Sequence, residues 1–165
     1  ASAHRLWLID AQNGDPIAQN NLGHLYRDGL GVQRDYSAAV DWYTKAAIKD
    51  NAVSQNNLAQ LYANGQGVKQ DYEKAFKWFK KAAENDIIVA LYNIGRMYSE
   101  LEEFELAIPW YEQAIKKDYR LAYIKLGEIL EKNEDMISKA YELYYAGAKK
   151  GIKECGKKLI EFIKK

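Results

Sequence analysis

A chain of 165 residues with 48% apolar and 28% charged residues describes an ordered fold rather than a disordered segment. Its net charge of +1 gives no global pull toward nucleic acid or acidic membrane. No apolar run approaches the roughly 20 residues of a membrane span, and a single cysteine, Cys155, cannot form an internal disulfide. The compartment stays open: cytoplasmic, periplasmic and secreted locations all fit.

The chain begins with half of a pattern that later returns in full. In "LWLIDAQNGDP", Leu6, Trp7 and Ala11 match Trp42, Tyr43 and Ala47. This half repeat, residues 3–14, reads as a second helix whose first helix is missing, so the natural chain is expected to extend toward its N-terminus.

The first full repeat, residues 15–51, contains Leu22, Tyr26, Gly29, Gly31, Val32, Asp35, Tyr36, Ala39, Trp42, Ala46 and Ala47. Thirty-six residues on, the second repeat (52–86) has Leu58, Tyr62, Gly65, Gly67, Val68, Asp71, Tyr72, Ala75, Trp78, Ala82 and Ala83. Self-similarity at such a period is the mark of a repeat array. Ala18, Leu22 and Tyr26 stand four apart and make one apolar stripe of a helix; Ala39, Trp42, Tyr43, Ala46 and Ala47 make a second. Trp42 and Trp78 are expected in the core. Between the stripes, "RDGLGVQRD" ends one helix and starts the next. Gly29 and Gly31 can take the positive φ of a helix end, and Asp35 can cap the following N-terminus. Gly23 and Gly95 sit where a larger side chain would hold off the partner helix.

The third repeat (87–118) keeps Ala90, Ile94, Gly95 and Tyr98, drops four residues with the glycine loop, and continues with Phe104, Ala107, Trp110 and Tyr111. Pro109 falls inside its second helix and is expected to remove a backbone bond and kink it. The fourth (119–150) is more worn, with Ala122, Leu126, Gly127, Ala140, Leu143, Tyr144 and Ala148. A last helix, from about Ile152 to Ile163, puts Ile152, Cys155, Leu159 and Ile163 on one face and Lys153, Lys157, Lys158 and Lys164 on the other, as a capping helix does (151–165). Cys155 takes the slot of Ala18 and reads as a small core residue. The fold class is all-α, about ten helices in a single repeat domain.

"AQNNLGHLYRDGLGVQRDYSAAVDWYTKAA" and "SQNNLAQLYANGQGVKQDYEKAFKWFKKAA" closely resemble the Sel1-like repeat family, a bacterially common relative of the tetratricopeptide repeat. Departures are Ala38, Ser54, Ala59 and Phe79; the third and fourth repeats are more tetratricopeptide-like. The resemblance implies a right-handed superhelical solenoid with first helices along the concave side, and a protein-interaction scaffold rather than an enzyme. A cysteine-paired branch of the family was linked to β-lactam binding, and one cysteine argues against membership.

No chemistry competes with that reading. His4 and His24 are far apart, and no Cys/His cluster has zinc spacing. "DGLGV" and "NGQGV" follow helices rather than strands, so they terminate helices rather than cradle phosphate. In "KAFKWFKKAA" the lysines point outward from a packing face, which argues against nucleic acid. No catalytic residue, cofactor or metal is assigned.

With first helices concave, a helical wheel places the groove residues. They are Asn20, Asn21, His24 and Arg27; then Asn56, Asn57, Gln60 and Asn64; then Tyr92, Asn93 and Arg96; then Lys125 and Glu128. An asparagine amide both donates and accepts, which suits a peptide backbone. Asn21, Asn57 and Asn93 recur once per repeat, which resembles the asparagine ladder of some tetratricopeptide proteins. Tyr92 and Arg96 are residue types enriched at binding hot spots. The expected function is a monomeric adaptor holding a peptide or protein segment in this groove. The alternative is an inhibitor or immunity protein that blocks an enzyme or toxin.

Overall fold

The computed structural model describes residues 3–164. Among them are ten α-helices and no strand: α1 (Ala3–Gln12), α2 (Pro16–Asp28), α3 (Tyr36–Ala47), α4 (Ala52–Asn64), α5 (Tyr72–Glu84), α6 (Ile88–Glu100), α7 (Phe104–Lys116), α8 (Arg120–Leu130), α9 (Ile137–Lys149) and α10 (Lys153–Ile163). A short 3-10 turn, Glu134–Met136, precedes α9. The all-α class and the helix count are those the sequence predicts.

Local chemistry sets the boundaries. Asp15 accepts from the Ile17 and Ala18 amides at the start of α2, and Asn51 accepts from Ser54 at the start of α4. Asp35 and Asp71 accept from Ala38 and Lys74 and open the second helices α3 and α5. Such caps satisfy amides that have no intrahelical partner. Gly29 and Gly65 close α2 and α4 at φ 70° and 64°, as the glycine spacing predicts. After each second helix the chain passes one left-handed residue, Gly14, Asp50, Asp86, Asp118 and Gly151 in turn. At three of these five positions an aspartate bears the conformation that glycine adopts freely.

The described residues fall into two compact bodies that part between Ala90 and Leu91. Within the N-terminal body α1 packs on α2, α2 on α3, α3 on α4 and α4 on α5. Within the C-terminal body α7 packs on α8, α8 on α9 and α9 on α10. Each body thus stacks consecutive helix pairs, the packing rule of a solenoid.

The core uses one recurring joint. Tyr43, Phe79, Tyr111 and Tyr144 are all fully buried on second helices. Opposite the three tyrosines on the first helices stand Gly23, Gly95 and Gly127, and Ala59 holds the same sequence position in the second repeat. A Cβ at Gly23 would lie within 2.9 Å of three Tyr43 ring atoms, at Gly95 within 3.0 Å of Tyr111, and at Gly127 within 2.9 Å of Tyr144. The tyrosine rings therefore occupy the space that the glycines leave open.

Two expectations need correcting, those for the tryptophans and for Ile163. Trp42 and Trp78 are only half-buried, with Lys45 and Lys81 over their rings at 4.2 Å and 5.8 Å. The residue after each tryptophan fills the core instead, because it points straight at the small residue of the first helix. α7 continues past Pro109, which is exposed and, having no N–H, leaves one backbone bond of the helix unmade, as expected. Ile163 is 76% exposed although Cys155 on the same helix is fully buried, because no second helix covers the end of α10 among the described residues. Burial raises the Cys155 thiol pKa, consistent with a packing residue.

Candidate protein-binding surface

The structure divides the predicted groove residues into those that hold the fold and those that face outward. In the N-terminal body, Asn20 accepts a 2.8 Å hydrogen bond from Ser54 Oγ and so links α2 to α4. Asn56 and Asn57 are buried at 6% and 7% exposure. Asn57 Nδ2 lies 3.4 Å from His24 Nε2, again across α2 and α4. The amides that looked free of packing duties thus sit in or beside the seam between successive first helices. Asn21, His24, Arg27 and Gln60 are half-buried, and Asn64 is exposed.

His24 stacks edge-on against the Tyr43 ring at 5.5 Å. Burial lowers its pKa below the ordinary 6.5; Arg27 adds to this and Asp28 opposes it. Arg27 turns along its own helix onto Asp28, with Nε and an Nη each 2.7 Å from a carboxylate oxygen. That bond holds the Asp28 carboxyl below its usual range.

In the C-terminal body, Asn93 is buried at 5% exposure. Tyr92 lies between Tyr111 and Tyr119, at ring distances of 5.7 Å and 5.1 Å, and is half-buried among them. Arg96 bonds Glu100 at 2.7 Å, and Lys125 bonds Glu128 at 2.9 Å. These four line an open cavity of about 430 Å³ between α6 and α8, with Tyr111 and Phe104 from α7 at its wall and Lys132 at its edge. Both ion pairs are solvent-accessible, so each is worth at most about 1 kcal/mol and can open to a ligand.

Sequence reasoning missed two buried ties. Gln19 and Gln55 donate to the carbonyls of Ala11 and Ala47, 3.0 Å and 3.2 Å away, and fasten each first helix to the end of the helix before it. Asn85 then donates to Gln55 Oε1 at 3.1 Å. The signal was in view, since both glutamines open the duplicated "QNNL".

The chain is, by its folding rule, a helix-pair repeat protein. Sel1 repeats match residues 16–51, 52–87 and 118–152, and a tetratricopeptide repeat matches residues 90–123. The chain belongs to the Sel1 repeat family. It is similar to the Sel1 repeat protein from Oxalobacter formigenes, at 32% identity and a TM-score of 0.75, over 92% of this chain and 65% of that one. It is also similar to c5321, a protective antigen of uropathogenic Escherichia coli with this fold (27% identity, TM-score 0.77), over 94% of this chain and 35% of that one. The immunity protein Pa5087 from Pseudomonas aeruginosa is 26% identical with a TM-score of 0.56, over 92% of this chain and 59% of that one. The chain thus spans less than two thirds of each of these proteins. No curated protein sequence matches it. No helix of the described residues is long and apolar enough to cross a membrane.

Proposed function

We propose that this chain is a non-catalytic scaffold that binds a protein or peptide segment on its first-helix face. The observation that carries this reading is the cavity between α6 and α8. Its lining holds Arg96, Lys125 and Lys132 beside Glu100 and Glu128, against the aromatic wall of Phe104 and Tyr111. Fork-shaped and point cations, carboxylates and aromatic rings together suit a peptide that carries both charges and a side-chain anchor. The family's helix-pair repeats support the same reading, since they present extended surfaces to other proteins.

The test is affinity capture from source cells with mass spectrometry, wild type beside Arg96→Ala/Lys125→Ala. The captured partner should be lost from the double variant, with the helical circular dichroism signal unchanged. A partner retained at full yield contradicts the placement of the site.

The likeness to an immunity protein supports a second reading, in which the chain blocks an enzyme or toxin. An inhibitor would abolish the activity of a captured enzyme at a one-to-one ratio; an adaptor would leave it working.

A further inference from the structure

The four joints of the core differ in what lies beside the inserted ring. The neighbour stands four residues after the small residue of the first helix, at Arg27, Ala63, Ser99 and Glu131. In the second repeat the ring is Phe79 and the neighbour is buried Ala63, apolar against apolar. In the third, Ser99 Oγ donates to the Gly95 carbonyl at 2.8 Å, so the Tyr111 hydroxyl donates to Ser99 at 3.1 Å. In the fourth, the Tyr144 hydroxyl makes no hydrogen bond among the described residues, but the Glu131 and Glu128 carboxylates, both acceptors, are within electrostatic reach.

The first repeat has the same kind of unpartnered hydroxyl, but with a donor in place of an acceptor four residues after its glycine. Tyr43 is fully buried, and among the described residues its hydroxyl has no hydrogen-bond partner. Its neighbour Arg27 offers only donors. Asp28, the other charge within reach, gives one oxygen to each of two Arg27 nitrogens. A buried hydroxyl without a partner is costly, and packing does not require it, since Phe79 fills the same slot in the next repeat. The Tyr43 ring fills the space beside Gly23 and stands edge-on to His24.

We infer that the Tyr43 hydroxyl is a donor held for a bound ligand, and that it takes an sp² oxygen of a peptide. Turning Arg27 off the partly exposed Asp28 would open the way. His24 and Asn57 would then flank the entering peptide as polar neighbours. This inference rests on the reading of the first-helix face as a peptide-binding surface. The oxygen comes from a main-chain carbonyl or a terminal carboxylate, which share this chemistry.

The experiment uses peptides selected on wild-type protein from a random display library, resynthesised with free and with amidated C-termini. Binding is measured to wild type, to Tyr43→Phe and to Asn21→Ala/Gln60→Ala, and each variant is melted. Tyr43→Phe should weaken binding about fivefold or more, while its melting temperature rises because an unpaired buried group is gone. Loss confined to the free C-terminal peptides identifies a carboxylate; equal loss for both identifies a main-chain carbonyl. Unchanged binding to Tyr43→Phe, with weakened binding to Asn21→Ala/Gln60→Ala, overturns the inference and leaves the surface reading intact. A lowered melting temperature also overturns it, since the hydroxyl would then have a partner within the fold. No selected peptide, or full binding to both variants, removes the surface reading for this body and the inference with it.

Discussion

Gly23 and Tyr43 show how little room one residue has in this fold. A methyl at Gly23 would enter the space of the Tyr43 ring, so Gly23→Ala should cost about 1–3 kcal/mol by overpacking. Adding Tyr43→Phe recreates the Ala59–Phe79 pair of the next repeat and should recover part of that loss. Urea denaturation of both single variants and the double variant gives the coupling; simple additivity would contradict the picture of one joint. His24 supplies a pH test. Its folded pKa lies below its unfolded value, so the unfolded chain takes up the proton first as pH falls. Its contribution is therefore complete above about pH 6.5 and is lost as pH falls from there toward the folded value. The melting temperature should decline over that interval, and His24→Gln should flatten the decline. The glycine side of the joint was legible in the sequence, because glycine inside a helix asks for a packing reason. The partner was not: helical spacing marks Trp42 and Tyr43 as apolar alike, and only the direction of approach puts Tyr43 inside.

Helices here are set by their ends as much as by their faces. Asp35 and Asp71 were readable as caps because they recur after a glycine loop. The left-handed residue after each second helix was less visible, since its identity alternates between Gly14 and Gly151 and the aspartates Asp50, Asp86 and Asp118. Asp86, at φ 64°, gives the sharpest check. Asp86→Val should lower stability by about 1 kcal/mol or more, because a β-branched residue fits this conformation worst. Asp86→Gly should be neutral or slightly stabilising, as relief of strain offsets the added freedom of the unfolded chain. Equal melting temperatures for the two variants would contradict the assignment. The groove asparagines carry the complementary lesson. A helical wheel separates inward from outward on one helix but does not include the neighbouring first helix. That omission is why Asn20 was read as outward-facing although it accepts a bond from Ser54.

At the scale of the molecule, near-neutral net charge and a sequence of helix pairs leave surface shape and local polarity to define recognition. The duplicated 36-residue pattern makes the family legible in the sequence alone, since each position recurs with its neighbours. The candidate binding surface was legible only in outline. Arg96, Lys125 and Glu128 line the cavity of the C-terminal body, whereas Asn57 and Asn93 lie within the packing. The central claim, that the first-helix face binds a protein segment, meets its most direct test in one titration. A fluorescent peptide selected on the wild-type protein is titrated with wild type and with Arg96→Ala/Lys125→Ala. Loss of two desolvated charge contacts should weaken binding roughly tenfold or more, with the far-ultraviolet spectrum unchanged. Equal affinities for the two proteins would contradict the account.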